Sequence, residues 1–315
     1  MWLRALVLFS ATLTAACGAR SDLSSSHPPA DAASCGAPWV VFSVISSTPG
    51  GTSSIRIFAR RADGTGGHFL ALPQPQVTYP SATPDGAALL YAGPALAHLF
   101  LYNFADGTNR QLDTMGQVGF GSVSPDGQTV VYGDGNNLWI AGVNGPPQQH
   151  ILVPGNVTPT GAAGYPAFRQ DSRTVVFAEG GLVESIQVDG SGLSTLLGDS
   201  SPGTFPNPAL SPDGQQLAAV LSCDGATYDL RVYPLASLPA SCTAGAVVTS
   251  VSGTPPYYDL AWGPTGLIAF SGGDNVFLVR ATAGAGAPTN LTADLTGPMA
   301  SASEPTWVPA CAALP

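Results

Sequence analysis

A four-residue turn, Ser-Pro-Asp-Gly or a worn copy of it, returns along this chain every forty-odd residues. Clean copies stand at 83–86 (TPDG), 124–127 (SPDG) and 211–214 (SPDG). Worn copies stand at 169–172 (RQDS), 263–266 (GPTG) and 308–311 (VPAC). Their second positions fall at 84, 125, 170, 212, 264 and 309, so the intervals are 41, 45, 42, 52 and 45 residues. A period of about 40–45 residues is that of a four-stranded propeller blade. Apolar, β-rich runs follow the turns: AALLYAG, QTVVYGD, RTVVFAE, QQLAAVL and LIAFSGG.

A second turn trails the first at nearly constant distance. Asp126 to Asn144, Asp171 to Asp189 and Thr265 to Ala283 are each 18 residues, and the turns there read VNG, VDG and TAG. RADG ending at Gly64 and FADG ending at Gly107 belong to the same class. Asp-Gly and Asn-Gly are strong hairpin signals, because glycine accepts the positive φ that a tight turn needs. Each unit therefore reads as an antiparallel meander of four strands. One such sheet cannot bury both faces alone, so the units pack radially.

The two ends complement each other. EPTWVPAC near the C-terminus matches an innermost strand and its turn. PWVVFSV, SIRIFARRADG and HFLAL near the N-terminus match three outer strands with no inner strand before them. Together they make one blade, for six in all. The expected fold is all-β, a six-bladed β-propeller of four-stranded antiparallel blades whose first blade is closed by the C-terminal strand. Joining the ends in one sheet removes open strand edges.

The stretches YPSATPDGAALLYAG, FGSVSPDGQTVVYGD, YPAFRQDSRTVVFAE, NPALSPDGQQLAAVL and DLAWGPTGLIAF resemble the repeat of the TolB-like family of WD-repeat-like β-propellers. The resemblance covers about residues 35–315. It implies the architecture and leaves activity open, since one fold hosts many functions. TolB carries an α/β domain ahead of its propeller, and this chain has a short polar stretch there instead. A role in the Tol system is therefore not carried over.

Residues 1–16 read as an export signal: Arg4 supplies the charge and ALVLFSATLTAA the apolar core. Thr14-Ala15-Ala16-Cys17 resembles a bacterial lipobox, with Cys17 as the acylated residue. Leu13 sits four residues before the cysteine, where three is usual; an ordinary signal peptide with a stray cysteine is the other reading. Gly18 after Cys17 favours the outer membrane within the lipoprotein pattern. Residues 17–34 then form a lipid-anchored flexible tether, small, polar and Pro-containing, and 35–315 form the propeller. The expected location is the bacterial cell envelope, with membrane attachment through the lipid anchor only.

Beyond Cys17 four cysteines remain, which allows three connectivities in an exported chain. Cys35 and Cys311 border the same turn of the composite blade, so a Cys35–Cys311 bond staples the ring. Cys223–Cys242 is the second expected pair. In a simple meander these two stand at opposite ends of a strand, too far apart for a disulfide. Either the insertion LASLPASCTAG folds back or both thiols stay free.

The chain has no lysine, ten arginines and twenty acidic residues, for a net charge of −10. That balance argues against nucleic acid and against electrostatic docking on anionic lipid. No nucleophile elbow, zinc-binding helix motif, phosphate loop or paired-cysteine motif occurs, and no cofactor is expected. His27, His68, His98 and His150 are scattered. Asp134-Gly135-Asn136-Asn137 has the oxygen-rich look of a calcium loop but lacks its terminal acid, and it suits a tight turn equally.

The candidate site comes from the repeat. Five residues before each second turn position stand Tyr79, Phe120, Tyr165, Asn207, Asp259 and Glu304. Each begins an innermost strand, at the channel mouth opposite the Pro-Asp-Gly turns. Phe205, Tyr257 and Tyr258 lie just upstream. Three aromatics, an amide and two acids suit a peptide, a sugar or a cation; the competing reading has them cap strands and pack between blades. The expected function is a monomeric binding or scaffolding module for an envelope protein, peptide or glycan. The alternatives are a glycan hydrolase or lyase using Asp259 and Glu304, or a purely structural surface lipoprotein.

Overall fold

The computed structural model describes residues 36–48, 50–51, 53–113, 118–134, 137–144, 150–153, 164–179, 181–198, 207–224, 227–251, 259–295, 300–312 and 314–315. Its strands form six four-stranded sheets, each antiparallel throughout. The innermost strands, taken around the ring, are Ala300–Val308, Thr78–Ala82, Gly121–Val123, Gly164–Phe168, Ala209–Leu210 and Leu260–Trp262. Neighbouring inner strands touch in that order and the last touches the first.

The first blade is the composite one. Ala300–Val308 pairs with Trp39–Ser47, with Val40 opposite Trp307 and Ile45 opposite Ser301. Ser53–Arg61 and Gly67–Phe69 complete the sheet. Trp307 is 9% exposed and packs with Val40, Phe42 and Phe58 of its own blade against Ala269, Val276 and Leu278 of the sixth. Its indole N–H donates to the Ala261 carbonyl at 2.9 Å, so one side chain ties the closing strand to the next blade. The same contact explains a worn turn. A side chain at Gly263 would collide with the Trp307 ring at about 2.5 Å, which leaves no room for serine there.

The turn aspartates act through their own backbone. Asp126 Oδ1 accepts from Ser124 Oγ at 2.6 Å and from Gln128 N–H at 3.0 Å, and Ser124 Oγ in turn accepts from Thr129 N–H at 2.9 Å. Asp85 and Asp213 repeat the arrangement with Thr83 and Ser211. Where arginine replaces serine at 169, Asp171 binds Thr174 instead, and Ser172 takes the glycine's left-handed place with φ 55°. The outer turns use a parallel device, in which Asp63, Asp106 and Asp189 each accept from the N–H and hydroxyl of the residue two ahead.

Cys223 and Cys242 form a disulfide with Cα atoms 5.6 Å apart. The insertion does fold back, and it reaches further than its own blade. Ala240 lies beside Leu197 of the fourth blade and donates its N–H to the Leu196 carbonyl at 3.1 Å. Leu235, Leu238, Ala240 and Cys242 pack with Leu197, Leu221 and Tyr233 between the fourth and fifth blades. Cys311 is disulfide-bonded; Cys35, its expected partner, lies outside the described residues, as do Cys17, the signal segment and the tether.

Candidate functional site

The six repeat-derived positions come together. Tyr79, Phe120, Tyr165, Asn207, Asp259 and Glu304 all line one central cavity of about 440 Å³. Side chains along a strand alternate with period two, so the residues two further on line the same wall. These are Ser81, Ser122, Ala167, Ala209, Ala261 and Thr306, all small. The far rim is Pro84, Pro125, Gln170, Pro212, Pro264 and Pro309, the second residues of the turns. Of these, Pro84, Gln170, Pro212, Pro264 and Pro309 are exposed. Asn207 and Asp259, by contrast, are 1% and 7% exposed. Among the described residues the exposed rim lies at the turn end, while Asn207 and Asp259, expected at an open mouth opposite the turns, are buried.

The ring is a closed circuit of contacts. Tyr79 and Phe120 have ring centroids 4.1 Å apart, and Phe120 and Tyr165 3.6 Å. Asn207 Nδ2 donates to Asp259 Oδ1 at 3.5 Å, and the Tyr165 hydroxyl lies within electrostatic reach of Asp259. Asp259 Oδ2 accepts from the Glu304 N–H at 3.2 Å, and Glu304 Oε2 accepts from the Tyr79 N–H at 2.7 Å. That last oxygen also accepts Ser43 Oγ at 2.5 Å and Thr78 Oγ1 at 2.5 Å. Glu304 therefore joins strands of the first and second blades at the axis.

Backbone geometry aims these side chains. Tyr79, Tyr165 and Glu304 have φ of 53°, 53° and 61°, a left-handed conformation uncommon outside glycine. Each sits where the strand register slips: between Thr78 and Ser81, between Gly164 and Ala167, and between Ser303 and Thr306. A bulge of this kind re-aims a side chain without ending the strand. A proline follows each of the three, and also Asn207. Proline bars the ordinary helical conformation from the residue before it.

The electrostatics follow from burial. Asp259 is pushed well above the usual carboxylate range, first by desolvation and then by the Glu304 charge beside it. Glu304 is pushed up by desolvation, against which its Ser43, Thr78 and Tyr79 hydrogen bonds act. The Tyr165 hydroxyl is also raised by burial, with Asp259 adding to it. Ser43 and Thr78 were not singled out from sequence. The one signal was a hydroxyl residue inside each apolar stretch, WVVFSV and VTYP.

The remaining candidates lie elsewhere. Asp134 accepts from Asn137 N–H, Asn137 Nδ2 and Trp139 Nε1, which is the work of a turn residue; Gly135 and Asn136 lie outside the described residues, as do Phe205, Tyr257, Tyr258 and His27. His68 packs edge-on to Trp39, and His98 pairs with buried Asp113. Among the described residues, no three His, Cys, Asp or Glu side chains gather as a metal site requires.

No family model matches the sequence. No curated protein matches it either. Solved structures do match the fold. The crystal structure of TolB from Acinetobacter baumannii superposes with a TM-score of 0.61 at 17% identity over 86% of this chain, which spans 66% of that protein's length. A chain of the nidogen/laminin complex gives 0.64 at 10% identity, covering 86% of this chain and 98% of that one. A putative TolB from Agrobacterium tumefaciens gives 0.56 at 13% identity, covering 81% and 89%. Such distant likenesses speak for architecture, and in architecture this chain is a six-bladed β-propeller similar to those of the TolB structures.

Proposed function

We propose that this chain is a lipid-anchored binding module of the bacterial envelope, seating a protein, peptide or glycan partner at the turn end of its central cavity. The observation that carries this reading is the cavity itself: all six repeats contribute to its wall, and its exposed rim is built of turn prolines and Gln170. Rigid, apolar proline rims surround a floor of fixed polar groups, which is the general form of a recognition site. Envelope location and the outer-membrane anchor rest on the export signal and on Cys17. The hydrogen bonds that converge on Glu304 favour binding over hydrolysis, because they assign that carboxylate to holding strands together.

The test has two arms. In cells, the wild type is expected in the membrane fraction and Cys17→Ser in the soluble fraction; equal distribution removes the anchor. In vitro, residues 18–315, which retain Cys35, are screened on peptide and glycan arrays against variants of the rim and the small-residue wall. Pro212→Arg and Ser81→Trp should each abolish capture. A partner retained by both, or turnover of a captured glycan that stops in Glu304→Gln, would replace this reading.

A further inference from the structure

The inner strands of the cavity wall are interrupted by prolines. Every inner strand is the last of its sheet, so one of its edges faces the cavity unpaired by any strand. Such an edge normally offers alternating N–H and C=O groups. Here nine lining residues are prolines: 80, 84, 125, 166, 208, 212, 264, 305 and 309. Pro80, Pro166 and Pro305 lie within inner strands, where proline's missing N–H takes the unpaired side, so those strands each present one main-chain donor fewer to the lumen; Pro84, Pro125, Pro212, Pro264 and Pro309 belong to the turns of the rim. One donor that remains, the Ala82 N–H, is already spent on Thr306 Oγ1 at 3.2 Å.

Charge points the same way independently. Asp259 and Glu304 both line the cavity, and none of its described lining residues is Lys, Arg or His. Among the described residues, the donors to these acids are hydroxyl, amide and N–H groups. Two buried carboxylates without a counter-charge are costly when ionised. The group that complements two acids at the end of a lumen is compact, carries several donors and is positively charged.

We infer that the central cavity takes a primary ammonium group on an unbranched chain, entering past the turn prolines and seating its head against Asp259 and Glu304. This rests on the binding reading above and names its ligand chemistry. A lysine side chain and a free alkylamine share that chemistry. The small residues Ser81, Ser122, Ala167 and Thr306 leave room for a methylene chain along the wall.

The probe is n-hexylammonium, with hexanoate and hexan-1-ol as controls of equal length and calcium as a control for a simple ion. Binding to the 18–315 protein is followed by calorimetry and by thermal shift. Hexylammonium should bind saturably and the two controls should not. Asp259→Asn, which keeps the shape of the side chain, should weaken binding at least about tenfold. Ala167→Leu, which narrows the bore and leaves both acids in place, should weaken it comparably. A peptide presenting one lysine should compete with hexylammonium; failure of the peptide alone assigns the site to free amines.

Equal binding of hexanoate or hexanol, an unaltered Asp259→Asn affinity, or binding of calcium with hexylammonium inert would each overturn the inference. Capture of an array partner that persists in Asp259→Asn would leave the module reading standing while this one falls.

Discussion

Asp259 is 7% exposed, and its neighbours in the ring include the Glu304 carboxyl and the Tyr165 hydroxyl. Burial raises its pKa from 3.8 to about 7. Between those values the folded chain holds a proton that the unfolded chain has released, so stability is full below the lower value and falls as pH rises through the upper one. The exposed turn aspartates work with the opposite sign. Hydrogen bonds to Ser124, Ser211 and Ser191 hold Asp126, Asp213 and Asp189 below their ordinary range, so their contribution is lost as pH falls. Melting temperature should therefore peak in mild acid. Asp259→Asn should flatten the fall toward pH 8 and melt above the wild type there. A variant whose melting temperature tracks the wild type across that window would show that Asp259 does not carry the titration. The pattern of turn aspartates was readable from sequence, because Ser-x-Asp and Asp-Gly-Thr are local devices within a few residues of chain. The Asp259–Glu304 meeting was readable only as two positions on one ring; its hydrogen bonds depend on how strands 45 residues apart converge.

Among the elements, the insertion 235–245 departs furthest from the repeat. It leaves the meander, lies beside the outer strand of the fourth blade at Ala240 and is pinned by Tyr233, whose hydroxyl donates to the Cys242 carbonyl at 2.5 Å. Gly245 lies against the Tyr233 ring, where a side chain would approach to about 2.4 Å. The disulfide then closes a segment of 19 residues. In the chain-entropy account such a crosslink stabilises by about 3 kcal/mol. The double change Cys223→Ser with Cys242→Ser should lower the urea midpoint by a matching amount and raise m slightly, because the denatured chain without the crosslink is more expanded. A midpoint that does not move would mean that packing alone holds the insertion. Strand spacing by itself set these cysteines apart, and it took the contact between two blades to bring them together.

At the scale of the whole molecule, closure rests on Ala300–Val308. This strand supplies the inner edge of the first blade, the Trp307 bridge to the sixth and the Glu304 brace to the second. Trp307→Ala should cost about 3–5 kcal/mol, as removal of a large buried aromatic does. Deletion of 300–315 should do more, because it bares the edge of Trp39–Ser47, and an unpaired apolar edge recruits other chains. Size-exclusion chromatography should find aggregate or unfolded chain for the deletion and a destabilised monomer for Trp307→Ala. A deletion variant that elutes as monomer with the native melting temperature would contradict the closure.

Sequence by itself determined the blade count, the antiparallel meander, the roles of the turn residues and the pairing of the two ends. Each of these follows from a period or from a contact a few residues long, and six imperfect copies of one pattern reinforce one another. It also picked out the six positions of the central ring, since a fixed offset from the turn is preserved by the fold. The tertiary structure alone decided what those positions face. Three left-handed bulges turned Tyr79, Tyr165 and Glu304 to the axis. Ser43 and Thr78 arrived from neighbouring strands to hold one carboxylate. Nine prolines from six separate strands and turns met around a single lumen. Burial, and with it the electrostatics of the ring, is a property of the closed circle of blades, which no single repeat contains.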